Sequence, residues 1–92
     1  MCGIAGVVCA AGSPPRAALD RMRRALHHRG PDDGGVATYG PVGLVHTRLA
    51  IRDAELGTQP FRHPCTGAVM VYNGEVFDLE AMRARLPEVD YR

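Results

Sequence analysis

Apolar and polar positions change their spacing several times along the 92-residue chain. Residues 3–9, GIAGVVC, set small residues among branched ones in a run too short for a helix. They predict a buried strand whose glycines admit a neighbouring backbone. Ser13 and Pro14 read as an N-cap and a first helical position. Beyond them Leu19, Met22 and Leu26 fall at i, i+3 and i+7, one apolar stripe on a helix. That helix stops before "HRGPDDGG". Pro31 disfavours helical geometry at Gly30, and Asp-Asp-Gly-Gly is turn chemistry.

Two strands are predicted next, GVATY at 35–39 and VGLVHTRLAI at 42–51, joined by a tight turn at Gly40-Pro41. Their closeness implies an antiparallel hairpin. "DAELGTQPFRHPCTG" reads as a long irregular connection broken by Pro60 and Pro64. The stretch AVMVYNGEVF is apolar and β-rich, interrupted by Asn-Gly. Asp78 is placed to cap a second helix with a stripe of Leu79, Met82 and Leu86, ended by Pro87. Two helices and about five short strands leave sheet edges unpaired, so either the chain continues or a partner covers them. Residues 1–92 contain no repeat and no linker, and read as a single unit.

Composition narrows the classes. The apolar fraction is 46% and the charged fraction 23%, a globular balance. With two Phe, three Tyr and no Trp, few large side chains anchor a core, and a chain this short is marginal alone. A net charge of +1 gives no broad field for nucleic acid or an anionic membrane. The local excess at Arg16, Arg21, Arg23 and Arg24 spreads over a solvated helix face. No window holds the ~18 apolar residues of a membrane span. No secretory, lipoprotein or myristoylation pattern fits either, so a cytoplasmic protein is expected. Cysteines at 2, 9 and 65 are odd in number and form no C-x-x-C, which indicates neither a disulfide framework nor a common zinc pattern. His27, His28, His63 and Cys65 are too irregularly spaced to suggest a metal site.

Three short stretches could carry chemistry. In "MCGIAGVV", removal of Met1 would make Cys2 the amino terminus. One residue would then hold both a nucleophile and a base. A free amine titrates near 7.7–8.0 and a thiol near 8.5, so the amine can take the thiol proton. Packing as a small hydrophobe is the alternative for Cys2. In "YNGE", Asn73 and Gly74 could supply a side-chain amide and a backbone N–H to an oxyanion, or simply form a turn. In "HTRLAIRD", Arg48 sits in an apolar strand. Its guanidinium must reach water, a ligand carboxylate, or Asp32, Asp33 or Asp53.

Taken together, "MCGIAGVV", "HRGPDDGG", "HTRLAIRD", "GTQP" and "YNGEVFD" follow the order and approximate spacing of the class II glutamine amidotransferase family. More narrowly, the chain resembles the first half of the glutaminase domain of asparagine synthetase-type enzymes. The resemblance implies an α+β fold, an N-terminal-nucleophile hydrolase-like αββα sandwich, here incomplete, with antiparallel sheets and two helices. It implies that Cys2 is the nucleophile and that Asn73 and Gly74 form the oxyanion hole. Arg48 would clamp the glutamine α-carboxylate, with the backbone of Leu49, Ala50, Ile51 and Arg52 lining the pocket. Glu75 would touch the substrate's amino end, while Arg29 and Gly30 would support the Cys2 end. Gly3 and Gly6 would leave room for backbone and substrate beside the new amino terminus.

Glutamine is the implied substrate, hydrolysed to glutamate and ammonia with no metal or cofactor in that step. ATP and Mg are expected only at a synthetase site, on further sequence or a partner subunit, which would receive the ammonia. The chain departs from the family pattern in two ways. Position 52 is Arg where an apolar residue is usual, and no residue matches the family aspartate for the glutamine α-ammonium. A catalytically incomplete binding or interaction module on the same fold is the alternative function.

Overall fold

A computed structural model of the chain describes residues 2–49 and 58–86. Its elements are β1 (Gly3–Val8), α1 (Arg16–Leu26), a 3₁₀ turn at His27–Arg29, β2 (Asp33–Tyr39), β3 (Val42–Arg48), β4 (Phe61–Arg62), β5 (Val69–Met70) and α2 (Leu79–Arg85). The architecture is α+β, with two helices and two antiparallel sheets. The larger sheet has the order β1-β3-β2, so β3 is its central strand. Gly40, at φ 57, makes the tight β2–β3 turn that the sequence predicts.

The details differ from the expectations in four places. α1 begins at Arg16, and Pro15, extended at ψ 131, takes the N-cap position without a side-chain hydrogen bond. The second proline explains this, because it forces Pro14 out of helical geometry and postpones the start. The Asp-Asp-Gly-Gly stretch is only partly turn. Asp33, Gly34 and Gly35 pair with Arg48, Thr47 and His46, and ladder bonding outweighs the local turn preference. β3 ends at Arg48, and positions 50–51 of the predicted strand lie outside the described residues. Finally, Asp78 stands at the N-cap of α2 in left-handed geometry, φ 57 and ψ 48, with no capping hydrogen bond. In that conformation it turns the chain instead of capping it.

Strand alternation gives the larger sheet two distinct faces. Gly43, Val45 and Thr47 face α1. Leu19 lies against Gly43, and the Thr47 hydroxyl donates to the Leu26 carbonyl at 3.1 Å, satisfying one of the carbonyls left open at the end of α1. Among the described residues, Leu19 and Val45 are the aliphatic side chains with no exposure. The basic residues of α1 are all exposed, and Arg16 pairs with Asp20 at 3.2 Å. Among the described residues, no helix is long and apolar enough to cross a membrane.

The opposite face of β3 carries Leu44, His46 and Arg48. The segment from Thr58 onward approaches this face. Gly35 packs so closely on the Gln59 carbonyl that a Cβ there would collide with it, and Pro60 lies beside it. Past Pro60 the described strands are only the two-residue ladder of β4 and β5, so of the β-rich stretch AVMVYNGEVF just Val69 and Met70 pair, and α2 follows.

Candidate active site

The register assembles the site row by row. Gly3 pairs with Thr47, so one further step places Cys2 at the level of Arg48, which pairs on its other side with Asp33. Ile4, His46 and Gly35 form the next row. Rows on one face lie about 6.8 Å apart along the strands.

Cys2 is half-buried and its thiol is free. The Arg29 Nε donates to the Cys2 carbonyl at 3.0 Å, so the turn that ends α1 holds the first residues of β1. The Cys2 Sγ lies 3.9 Å from the Leu49 carbonyl, a long and weak S–H contact. Gly30 is buried against the Arg48 main chain, where any Cβ would collide with backbone. Pro31 bridges to Arg48 in parallel, and the Asp32 N–H donates to the Arg48 carbonyl at 3.1 Å. The HRGPDD turn is therefore stitched to the end of β3. It delivers Arg29 to Cys2 and fixes the level of Arg48.

Arg48 is only 6% exposed. A guanidinium so withdrawn from water carries a desolvation cost that only charged or hydrogen-bonding partners offset. His46 beside it is 1% exposed, and its Nε2 has no hydrogen-bond partner among the described residues. Burial pushes the His46 pKa below its ordinary 6.5, and the Arg48 charge pushes the same way. The Tyr72 main chain and Asp33 pull it back in part. His46 therefore stays neutral at pH 7 and marks where the Tyr72 main chain meets the sheet.

Tyr72 is the residue before Asn73, so this contact brings the Asn-Gly pair over the face that bears Cys2. Asn73 is half-buried; Gly74 and Glu75 are exposed. Gly74 has φ 156, a conformation glycine adopts readily, and a Cβ there would fall 2.8 Å from the Tyr72 hydroxyl. No hydrogen bond joins Asn73, Gly74 or Glu75 to Cys2. The structure thus brings Cys2, Arg29, Gly30, Arg48 and Leu49 together directly, and tethers Asn73 and Gly74 through Tyr72. Ala50, Ile51 and Arg52 lie outside the described residues.

One expectation about a neighbouring residue changes. Gly3 does not open space beside Cys2, because its vacant Cβ position faces Thr47 and Leu26 on the helix side. His63 is a turn residue. Its Nδ1 accepts from the N–H groups of Cys65 and Thr66 at 3.3 and 3.2 Å. Among the described residues, no group of three His, Cys, Asp or Glu is placed to hold a metal ion. A surface depression of about 500 Å³, lined by Asp20, Arg23, Arg24 and His27, lies along α1 and includes none of the residues above.

Sequence reasoning missed His46 and Gln59. His46 was part of a quoted motif yet showed no sign of burial. Gln59 makes two hydrogen bonds to the Tyr72 main chain, described below, that no local pattern announces.

The chain belongs to the glutamine amidotransferase domain family, whose model matches residues 1–92. It is similar to the glutamine-hydrolysing asparagine synthetase of Asparagus officinalis, 40% identical over 94 residues. It is 38% identical over 94 residues to asparagine synthetase 2 of Lotus japonicus, and 37% to the enzyme of Sandersonia aurantiaca. Each alignment covers the whole chain, but only 16% of the first two relatives and 18% of the third. No solved structure matches the chain.

Proposed function

We propose that the chain supplies the nucleophile and oxyanion donors of a glutamine-hydrolysing domain in an asparagine synthetase-like enzyme, built as an N-terminal-nucleophile αββα sandwich. The observation that carries this reading is the Arg29 hydrogen bond that holds Cys2 at the level of Arg48. Once Met1 is removed, the Cys2 amine accepts the thiol proton, directly or through water. The thiolate attacks the side-chain amide carbon of glutamine, and the carbonyl π-electrons move onto oxygen. Asn73 and the Gly74 N–H stabilise that oxyanion. Collapse expels ammonia as the Cys2 ammonium returns its proton to the leaving nitrogen, leaving a γ-glutamyl thioester. Water, deprotonated by the same amine, hydrolyses the thioester to glutamate and restores the thiol.

In this reading Arg48 clamps the glutamine α-carboxylate, and a bidentate guanidinium suits that group. The Leu49–Arg52 backbone lines the pocket, and Glu75 meets the substrate's amino end. Arg29 and Gly30 hold the Cys2 end. The glutaminase step uses no metal or cofactor. ATP and Mg belong to a synthetase site elsewhere in the protein or on a partner, which takes up the ammonia. A reducing cytoplasm suits a reaction that needs the Cys2 thiol free.

A chloroketone analogue of glutamine tests the assignment in the full natural polypeptide. Mass spectrometry should find the label on Cys2, only in molecules lacking Met1, and Cys2→Ala should abolish both labelling and glutamine hydrolysis. Equal labelling of Cys9 and Cys65 would overturn it.

A further inference from the structure

Gln59 lies in the GTQP stretch, and the reaction above gives it no task. Its main chain is seated on β2, where its carbonyl meets Gly35. Its side chain reaches Tyr72 from there. The Tyr72 N–H donates to Gln59 Oε1 at 2.6 Å, and Gln59 Nε2 donates to the Tyr72 carbonyl at 3.3 Å. One side-chain amide thus bonds both polar groups of one residue's main chain, as a neighbouring strand would. β5 has already ended at Met70, so no strand partner does this for Tyr72.

The carbonyl that Gln59 holds belongs to the peptide whose N–H is that of Asn73. A peptide unit is rigid, so anchoring its oxygen also fixes the Asn73 nitrogen and the Cα from which the Asn73 side chain is hung. On the sheet side the same main chain rests against the buried imidazole of His46. The Tyr72 ring in turn folds back to Gly74, where its hydroxyl occupies the space beside the glycine. The contacts with Gln59, His46 and Gly74 thus converge on Tyr72, the residue from which Asn73 and Gly74 follow.

We propose that Gln59 is a positioning residue for the oxyanion hole, clamping the Tyr72 main chain so that Asn73 and Gly74 aim at the developing charge. It touches neither substrate nor Cys2. The proposal rests on reading Asn73 and Gly74 as the oxyanion donors, and the test separates the two ideas. It uses the full natural polypeptide, with Gln59→Met, which keeps the volume and loses both hydrogen bonds. Gln59→Glu, which keeps the acceptor for the Tyr72 N–H, is the second variant should the first fail to fold. The kcat for glutamine hydrolysis should fall about 10- to 100-fold, the scale of a misplacement near 1 Å. KM should stay within about twofold. Alkylation of Cys2 by iodoacetamide, a displacement that develops no oxyanion, should also stay within about twofold.

Asn73→Ala alone should lower kcat by about 10²- to 10³-fold. Adding Gln59→Met to it should cost less than about threefold more, because the clamp then has nothing left to aim. A parallel fall in kcat and in alkylation would mean general damage and overturn the proposal. So would full additivity with Asn73→Ala, or an unchanged kcat in the Gln59 variants while Asn73→Ala is crippled. Unchanged hydrolysis in Asn73→Ala itself would instead refute the donor assignment, and the clamp would fall with it.

Discussion

The two described segments are built on different principles. Residues 2–49 wrap a helix over a three-stranded sheet, and His46, Thr47 and Arg48 in the central strand are all under 10% exposed. Residues 58–86 have no buried side chain. Met70 is 54% exposed, Phe77 82%, and the α2 stripe of Leu79, Met82 and Leu86 about half exposed. Cys2 is therefore mounted on a packed scaffold. The Asn-Gly pair hangs from a segment held by a few polar contacts, chiefly at Gln59 and Tyr72. In the proposed reaction the two must keep their mutual geometry within a fraction of an ångström, although one is rooted and the other suspended.

The largest break in this contrast should come from Leu19→Ala. It empties a fully buried position, at a cost of about 2–5 kcal/mol. Hydrogen-exchange mass spectrometry should show faster exchange along β3 and little change over residues 61–70. An equal change in both segments would mean that they unfold as one unit.

Acid should act next, and again on the packed segment. The His46 pKa is lowered in the folded state, so the unfolded chain binds its proton first as pH falls. This contribution to stability is complete above about 6.5 and is lost as pH drops from there through the lowered folded value. The slope is at most about 1.4 kcal/mol per pH unit for one proton. His46→Gln should flatten the pH dependence of β3 exchange between pH 7.5 and 5. If it leaves that dependence intact, the titrating group lies elsewhere.

The smallest effect should come from Phe77→Ser, within about 0.5 kcal/mol for a side chain already facing solvent. Should urea denaturation show a loss close to that of Leu19→Ala, the face around Phe77 is covered in the intact protein.

Regular segments were legible in the sequence for physical reasons. Leu19, Met22 and Leu26 recur at helical spacing because one side of α1 must meet β3. The β2–β3 hairpin showed because Gly40-Pro41 separates two apolar runs. Asp33 and Gly34 misled, since their local preference for a turn is outweighed by pairing to a strand that was itself predicted. The stretch AVMVYNGEVF read as β-rich, yet only Val69 and Met70 pair, and β4 is too short to leave a period. At the site, Cys2, Arg48 and Asn73 were singled out by the order of their motifs along the chain. Arg29 was placed near Cys2 without any geometry, and its hydrogen bond shows that it binds the main chain. Gln59 had no readable signal, because a side chain standing in for a strand depends on where two distant segments meet.

The Arg29 hydrogen bond ends on the Cys2 carbonyl, a group present before and after Met1 is cut away. In the proposed reaction, trimming Met1 would expose the amine on the other side of Cys2 from this contact. Folding of the Cys2 end would then not depend on activation, since the group that Arg29 holds is the same in precursor and product.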